Sequence, residues 1–103
     1  MTSDAASAAY DLIAEELRED PDDDVEVTAD GLRVHGRIFA YLSDDALVVS
    51  LSPARAADLV ARGVARPFEG GDGWVAIDER DLWSELAGEA HTFVGEPPVG
   101  RQS

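Results

Sequence analysis

Three apolar segments that follow one another with very short gaps constrain the fold of this chain most strongly. They cover residues 32–34, 37–42 and 46–51, and only His35-Gly36 and Ser43-Asp44-Asp45 separate them. Apolar runs of strand length joined by turn-forming residues predict consecutive β-hairpins. The middle of the chain is therefore expected to form an antiparallel β-meander.

The register of the first hairpin has two solutions. A two-residue turn places Leu32 and Val34 on one face with Phe39 and Tyr41, whereas a three-residue turn places residues 38, 40 and 42 there instead. A slip of one residue moves every side chain to the other face of the sheet. In both registers each face carries apolar residues, so neither face is expected to be wholly solvated.

Three further segments have the signals of helices. Residues 4–19 carry apolar side chains at helical spacing, and Asp20-Pro21 ends this helix because the residue before proline resists helical geometry. Ser52-Pro53 begins a second helix, and Gly63 suits the position just after its end. Asp78 is expected to cap a third helix, which has an apolar stripe up to Val94.

Two short strands, residues 65–68 and 74–77, complete the pattern around the loop of residues 69–73. Val25 and Val27 alternate with polar residues, which indicates a further short edge strand inside the acidic connector 20–30. The predicted fold is an α+β single domain over residues 1–95, in the order α-β(3)-α-β(2)-α, with an antiparallel meander sheet packed by helices. Residues 96–103 are expected to form a disordered tail.

Several stretches taken together resemble the N-terminal domain of the TfoX family. The string Gly31-Leu32-Arg33-Val34-His35-Gly36-Arg37-Ile38-Phe39-Ala40 is similar to that family's glycine, strand, turn glycine, basic residue and Phe-Ala pattern. Leu47-Val48-Val49-Ser50-Leu51, Pro53, Gly63, Pro67-Phe68, Trp74-Val75, Trp83, Leu86, Ala87 and Ala90 continue the likeness, which covers residues 8–94.

The resemblance implies an α-β(3)-α-β(2)-α fold and, for full-length members, a link to regulation of natural competence. Those members carry a second, C-terminal domain for which this chain is expected to have no room. Ser50 stands where the family often has a basic residue, and Gly71-Asp72-Gly73 stands where it often has Met-Lys-Glu. Both departures remove positive charge. The family implies no catalytic residues.

Charge excludes some classes of partner. The chain carries 22 acidic and 8 basic residues, a net charge of −14, and all eight bases are arginine. This usage is typical of GC-rich bacterial genomes, such as those of actinobacteria, and also fits a salt-adapted organism. A nucleic-acid backbone would meet a repulsive field, so nucleic acid is not an expected partner. Five arginines, at positions 33, 37, 55, 62 and 66, lie in the middle of the chain and could form a local basic patch. The favoured interpretation is that these arginines pair with the excess of carboxylates.

Candidate sites for chemistry are weak. The acidic residues 20–30 lack the Gly and Glu spacing of an EF-hand, and the loop Gly70-Gly71-Asp72-Gly73 precedes a strand and lacks the residues of a phosphate-binding loop. His35 lies at a turn and His91 near a helix end, neither with a second histidine nearby. Absence of cysteine excludes thiolate chemistry. We predict no catalytic residue, no metal ligand and no cofactor.

Three functions remain for comparison. The first is a non-catalytic protein-interaction or regulatory module whose partner is another protein or a second copy, because three helices are few to cover a sheet that is apolar on both faces. The second is a DNA-associated competence regulator, by family analogy, and the third is a small-molecule-binding protein or enzyme. The aromatic residues Phe39, Phe68, Trp74, Trp83 and Phe93 are expected in the core. Neither a signal sequence nor a membrane span is found, so a cytoplasmic location is expected.

Overall fold

The computed structural model describes residues 4–19, 25–68 and 73–95, and it confirms the α+β fold with an antiparallel meander sheet. The predicted tail and parts of the acidic connector and of the glycine-rich loop lie outside the described residues. The elements are, in chain order, α1 Asp4–Glu19, β1 Val25–Thr28, β2 Gly31–Val34, β3 Arg37–Ser43, β4 Ala46–Ser50, α2 Pro53–Ala61, β5 Arg66–Pro67, β6 Trp74–Ile77, a single 3₁₀ turn Arg80–Leu82 and α3 Trp83–Gly95.

The sheet contains six described strands in the order β1-β2-β3-β4-β6-β5, and every neighbouring pair is antiparallel. It has one strand more than the predicted α-β(3)-α-β(2)-α order, because the edge strand expected inside the acidic connector forms as β1. The chain leaves the sheet after β4, passes through α2 and returns so that β6 pairs with β4. The predicted strand 65–68 is reduced to the two residues of β5.

Both predicted registers of the first hairpin hold in part. Val34 pairs with Arg37 across a two-residue turn whose residues have φ of 54° and 79°, the conformation of a type I′ turn. Farther from the turn the register shifts by one residue, and Leu32 pairs with Ala40. This β-bulge lets Phe39 and Ala40, adjacent in sequence, both be fully buried.

All three helices pack against one face of the sheet. α3 lies against β2, β3 and β4, α1 lies against α3 and β1, and α2 lies against β5 and β6. Trp83 is the largest fully buried side chain of this core, and its Nε1–H donates a 2.8 Å hydrogen bond to the carbonyl oxygen of Ile77. That bond satisfies the one polar atom of the indole, as a buried tryptophan requires.

Local signals define α2 as predicted. The Ser52 hydroxyl oxygen accepts a hydrogen bond from the Arg55 amide at 3.2 Å, and Pro53 is the first helical residue. Gly63, with φ of 78°, follows the C-cap residue Arg62. These are the expected N-cap and C′ geometries.

The prediction that Asp78 caps the last helix is wrong. The 3₁₀ turn Arg80–Leu82 precedes α3, and its N-cap residue is Glu79, which makes no side-chain capping bond. The Asp78 carboxylate instead accepts two hydrogen bonds from the guanidinium of Arg66, at 2.8 and 2.9 Å. A charge-assisted bidentate pair is stronger than a single capping bond, so the long-range partner takes this side chain.

Candidate interaction surface

The face of the sheet opposite the helices carries a second apolar cluster. Ala46, Val48 and Ala76 are buried at its centre, and larger side chains pack around them. We use the name open face for the surface formed by this cluster and the strand residues beside it on the same side of the sheet. The large members of the cluster are Tyr41, Phe68 and Trp74.

Strand alternation explains how the open face arises. In β4, Leu47 and Val49 point to the helical core whereas Val48 points to the open face, and all three are fully buried. Tyr41 and Ala76 are the register partners of Val48 on the two neighbouring strands. No described helix contributes a residue to this cluster, so the three large side chains themselves cover its centre.

Tyr41 contacts both of the other aromatic side chains of the open face. The ring centroids of Tyr41 and Trp74 are 5.8 Å apart, and those of Tyr41 and Phe68 are 6.2 Å apart. Their planes are tilted at 51° and 74°, within the range of favourable aromatic pairs. All three remain partly accessible to solvent. Burial raises the pKa of the Tyr41 hydroxyl above its ordinary value of 10.0.

On the other half of the open face, β2 approaches β3 closely at Gly31, which is itself buried. A Cβ atom at this position would lie 2.6 Å from the carbonyl oxygen of Ala40 and 2.8 Å from the Cβ of Tyr41, and its φ is 147°. Only glycine allows so close an approach of β2 to β3. Thr28, the register partner of Gly31, turns its hydroxyl back to the Gly31 carbonyl oxygen at 2.9 Å. The open face thus has an aromatic half around Tyr41 and Trp74 and a second half over β1 and β2, where Ile38 and Tyr41 lie over Gly31.

Among the described residues, charged side chains of both signs lie on the open face. Glu26 and Arg33 are register partners on β1 and β2, and Arg66 binds Asp78 at the opposite edge. Arg33 also lies 3.9 Å from the carboxylate of Asp30, in the turn before β2. The two hydrogen bonds from Arg66 hold the pKa of Asp78 below its ordinary value and raise the pKa of the guanidinium. Most acidic side chains of the described residues lie elsewhere, on the helices and in the turns.

The predicted pairing of arginines with carboxylates is confirmed for four of the five. Arg33 and Arg66 lie near opposite edges of the sheet, and Arg55 and Arg62 lie on α2, so the set does not form one basic patch. Arg37 is exposed beside the first hairpin turn. The N–O distances are 3.9 Å for Arg33–Asp30, 3.0 Å for Arg55–Asp58, 2.9 Å for Arg55–Glu89, 3.1 Å for Arg62–Asp58 and 2.8 Å for Arg66–Asp78.

The two histidines that the sequence offers as candidate site residues lie in different surroundings. His35 is exposed in the first hairpin turn, whereas the ring of His91, on α3, packs edge-on against Phe39 at 5.4 Å. Within residues 4–19, 25–68 and 73–95, no group of three or more histidine and acidic side chains is placed to hold a metal ion. The acidic residues 20–24 and the loop residues 69–72 lie outside this part.

The five aromatic residues predicted for the core divide into three groups. Trp83 and Phe39 are fully buried as expected. Trp74 and Phe68 lie partly exposed on the open face, and Phe93 is 47% exposed on α3, so its prediction is wrong. The aromatic half of the open face was therefore not found from sequence. The signal available in the sequence was strand alternation. It places the neighbours Trp74 and Val75 on opposite faces of the sheet, and likewise Ala40 and Tyr41.

A shallow apolar groove of about 630 Å³ adjoins the aromatic half, between α2 and the hairpin of β5 and β6. Phe68 and Trp74 line it together with the Ala56 and Val60 turn of α2. No charged side chain lines it among the described residues. The groove thus extends the apolar surface of the open face around the edge of the sheet.

No described helix has the length and apolar character needed to cross a membrane. Comparisons of the chain with protein-family models, curated proteins and solved structures found no match. The resemblance to the TfoX N-terminal domain stays a prediction.

Proposed function

We propose that this protein is a TfoX N-terminal-like domain that acts in the cytoplasm as a non-catalytic protein-interaction module and binds its partner through the open face. The observation that carries this proposal is the cluster of Tyr41, Phe68 and Trp74, which is partly exposed on a sheet face with no described helix contributing to it. Aromatic side chains on a rigid sheet are the residues most enriched at protein interfaces.

The charge distribution supports a protein partner. The centre of the open face is apolar, and Arg33 and Arg66 beside it have carboxylate partners, so a protein surface can cover it without leaving these two charges unpaired. A nucleic acid would need a concentrated basic patch, and four of the central arginines are engaged by carboxylates.

Site-specific photo-crosslinking tests this proposal. A photoreactive phenylalanine is placed at Ser50, which lies on the open face beside Trp74, and in a control protein at Thr92, which is exposed on α3. We expect crosslinked adducts from position 50 in cells, their loss in a Trp74→Arg background, and none from position 92. No adduct from position 50, or equal adducts from both positions, would reject the proposal.

A further inference from the structure

We infer that the outer edge of β1 binds an extended segment of another protein in which basic and apolar residues alternate, and that this segment adds to the sheet as a further edge strand. The inference goes beyond the proposed function, because it concerns an edge of the sheet and not the open face. Three observations carry it: the unpaired edge, the alternation of the β1 side chains, and the concentration of acidic residues around this strand.

The outer edge of β1 is open to strand pairing. Among the described residues, β1 is the first strand of the sheet and pairs with β2 alone. Every second residue of an antiparallel edge strand directs its N–H and C=O groups away from its neighbour, so β1 offers main-chain donors and acceptors to an added strand. The opposite edge is less suitable, because β5 has two residues and one of them is Pro67, which has no N–H group.

The hairpin of β1 and β2 holds this edge in place. All four residues of β1 have register partners on β2. In the turn between the strands, the Thr28 hydroxyl donates a hydrogen bond to the Gly31 carbonyl oxygen at 2.9 Å and accepts the amides of Asp30 and Gly31, both at 3.2 Å. A strand that is already extended and ordered loses little conformational freedom when another strand pairs with it.

Strand alternation decides which side chains an added strand meets. Val27 is the register partner of Leu32, which is buried in the helical core, so Val27 lies on the helical side of the sheet, where it is 43% exposed. Glu26 lies on the opposite face and is exposed. Cross-strand pairs of matching character stabilise a sheet. The segment that fits this edge therefore places apolar residues beside Val27 and basic residues beside Glu26.

The carboxylate of Glu26 is available for such a pair. Arg33, its register partner on β2, makes its ion pair with Asp30 at 3.9 Å. Among the described residues, no basic side chain forms an ion pair with Glu26. A lysine or arginine on an added strand would lie directly beside this carboxylate, on the side away from Arg33.

Charge selects a basic occupant. Residues 1–34 contain half of the 22 acidic residues of the chain but two of its eight basic residues. Asp22-Asp23-Asp24 directly precedes β1 in the sequence, and α1, which lies against β1, carries five acidic residues and one arginine. A second copy would bring the same negative charge to this edge and would be repelled, as charged edge strands commonly ensure. A basic segment would be attracted.

Titration of the ¹⁵N-labelled protein with two synthetic peptides tests the inference. The first peptide has about six residues in which lysine and valine alternate. The second has the same side chains and charge, but every peptide nitrogen is methylated, so it cannot donate the hydrogen bonds of strand pairing. At about 150 mM salt, which screens non-specific attraction, the first peptide should shift the amide signals of Val25–Thr28. The second should bind at least about tenfold more weakly.

Two charge-reversal variants separate a local contact from the overall charge. Glu26→Lys and Glu85→Lys change the net charge equally, and both glutamates are exposed. Glu26→Lys should weaken binding of the first peptide about fivefold or more, because it replaces a cross-strand attraction by a repulsion. Glu85→Lys, on α3, should weaken it about twofold or less, because salt screens a distant charge.

Equal binding of the two peptides, or equal effects of the two variants, would overturn the inference, because charge alone would then explain the attraction. Absence of shifts at Val25–Thr28 with the first peptide would also overturn it. If the first peptide shifts the Trp74 indole signal and not β1, this inference fails while the proposed function stands, since crosslinking from position 50 tests that function separately.

Discussion

Gly73 and Leu51 lie against each other where β6 begins and β4 ends. The Leu51 amide donates a 2.9 Å hydrogen bond to the Gly73 carbonyl oxygen, and a Cβ on Gly73 would lie 2.2 Å from the carbonyl oxygen of Leu51. The φ of Gly73 is 96°, a conformation that favours glycine. This contact fixes the strand pair that carries Val48 and Trp74 on the open face.

Gly73→Ala should therefore lower the free energy of unfolding by about 2–4 kcal/mol, through backbone strain and steric overlap with Leu51. Gly88 is a matched control, because it lies inside α3 with open space where a Cβ would go. Gly88→Ala should stabilise by about 0.5–1 kcal/mol. Urea denaturation monitored by circular dichroism measures both. Equal effects of the two variants would contradict the close contact at Gly73.

Trp83→Phe should destabilise the core by about 1–3 kcal/mol, because it leaves the buried carbonyl of Ile77 without its hydrogen bond. Trp74→Phe is the comparison, since Trp74 is partly exposed and keeps an aromatic ring on the open face. Trp74→Phe should lower the free energy of unfolding by less than half as much as Trp83→Phe. Thermal and urea unfolding give the two values, and the reverse order would show that the two tryptophans are assigned to the wrong faces.

Asp78 should make stability depend on pH in the acid range. Because Arg66 lowers the pKa of Asp78, this carboxyl stabilises the fold at pH values above its ordinary pKa of 3.8, and the contribution is lost as the pH falls through the lower pKa of the folded state. Asp78→Asn should cost at most about 1 kcal/mol near pH 7, since the pair is exposed. The difference in the free energy of unfolding between Asp78→Asn and wild type should shrink as the pH falls below 3.8.

Arg66→Gln should reproduce the pH profile of Asp78→Asn, and the double variant should add little to either single change. Urea midpoints at a series of pH values from 2 to 7 provide the test. Two single variants with additive effects and different profiles would mean that the ion pair makes no contribution.

Tyr41 should make stability depend on pH in the alkaline range. Its pKa is raised by burial, so the fold favours the neutral phenol. The contribution is complete below the ordinary pKa of 10.0 and is lost as the pH rises through the higher pKa of the folded protein. Wild type should therefore lose more stability above pH 10 than Tyr41→Phe, as measured by urea unfolding. Parallel curves for the two proteins would place the Tyr41 hydroxyl in water.

Much of the fold was predictable because its signals are local. Ser52, Pro53 and Gly63 define α2 through capping and φ preferences that act within a few residues. The close succession of short apolar segments predicts the meander for the same reason. The bulge at Phe39 was not predictable, because the burial of Phe39 and Ala40 together depends on what α3 and Leu32 place around them.

The errors arise where distant residues compete for a side chain or a surface. Asp78 has the sequence of a helix cap, but Arg66, twelve residues away, binds it. Phe93 continues the apolar stripe of α3, yet it lies at the margin of the buried residues Trp83, Leu86, Ala87 and Ala90. The two-sided apolar character of the sheet was visible in the sequence. The strand register was needed to identify which aromatic side chains stay exposed.

The indole resonances of the two tryptophans test the open face most directly. The chain has only Trp74, partly exposed on the open face, and Trp83, fully buried in the helical core. In ¹H–¹⁵N spectra recorded with increasing amounts of a soluble paramagnetic agent, the Trp74 indole signal should broaden while the Trp83 indole signal keeps its intensity. Equal broadening of both indole signals, or broadening of the Trp83 signal alone, would contradict the account.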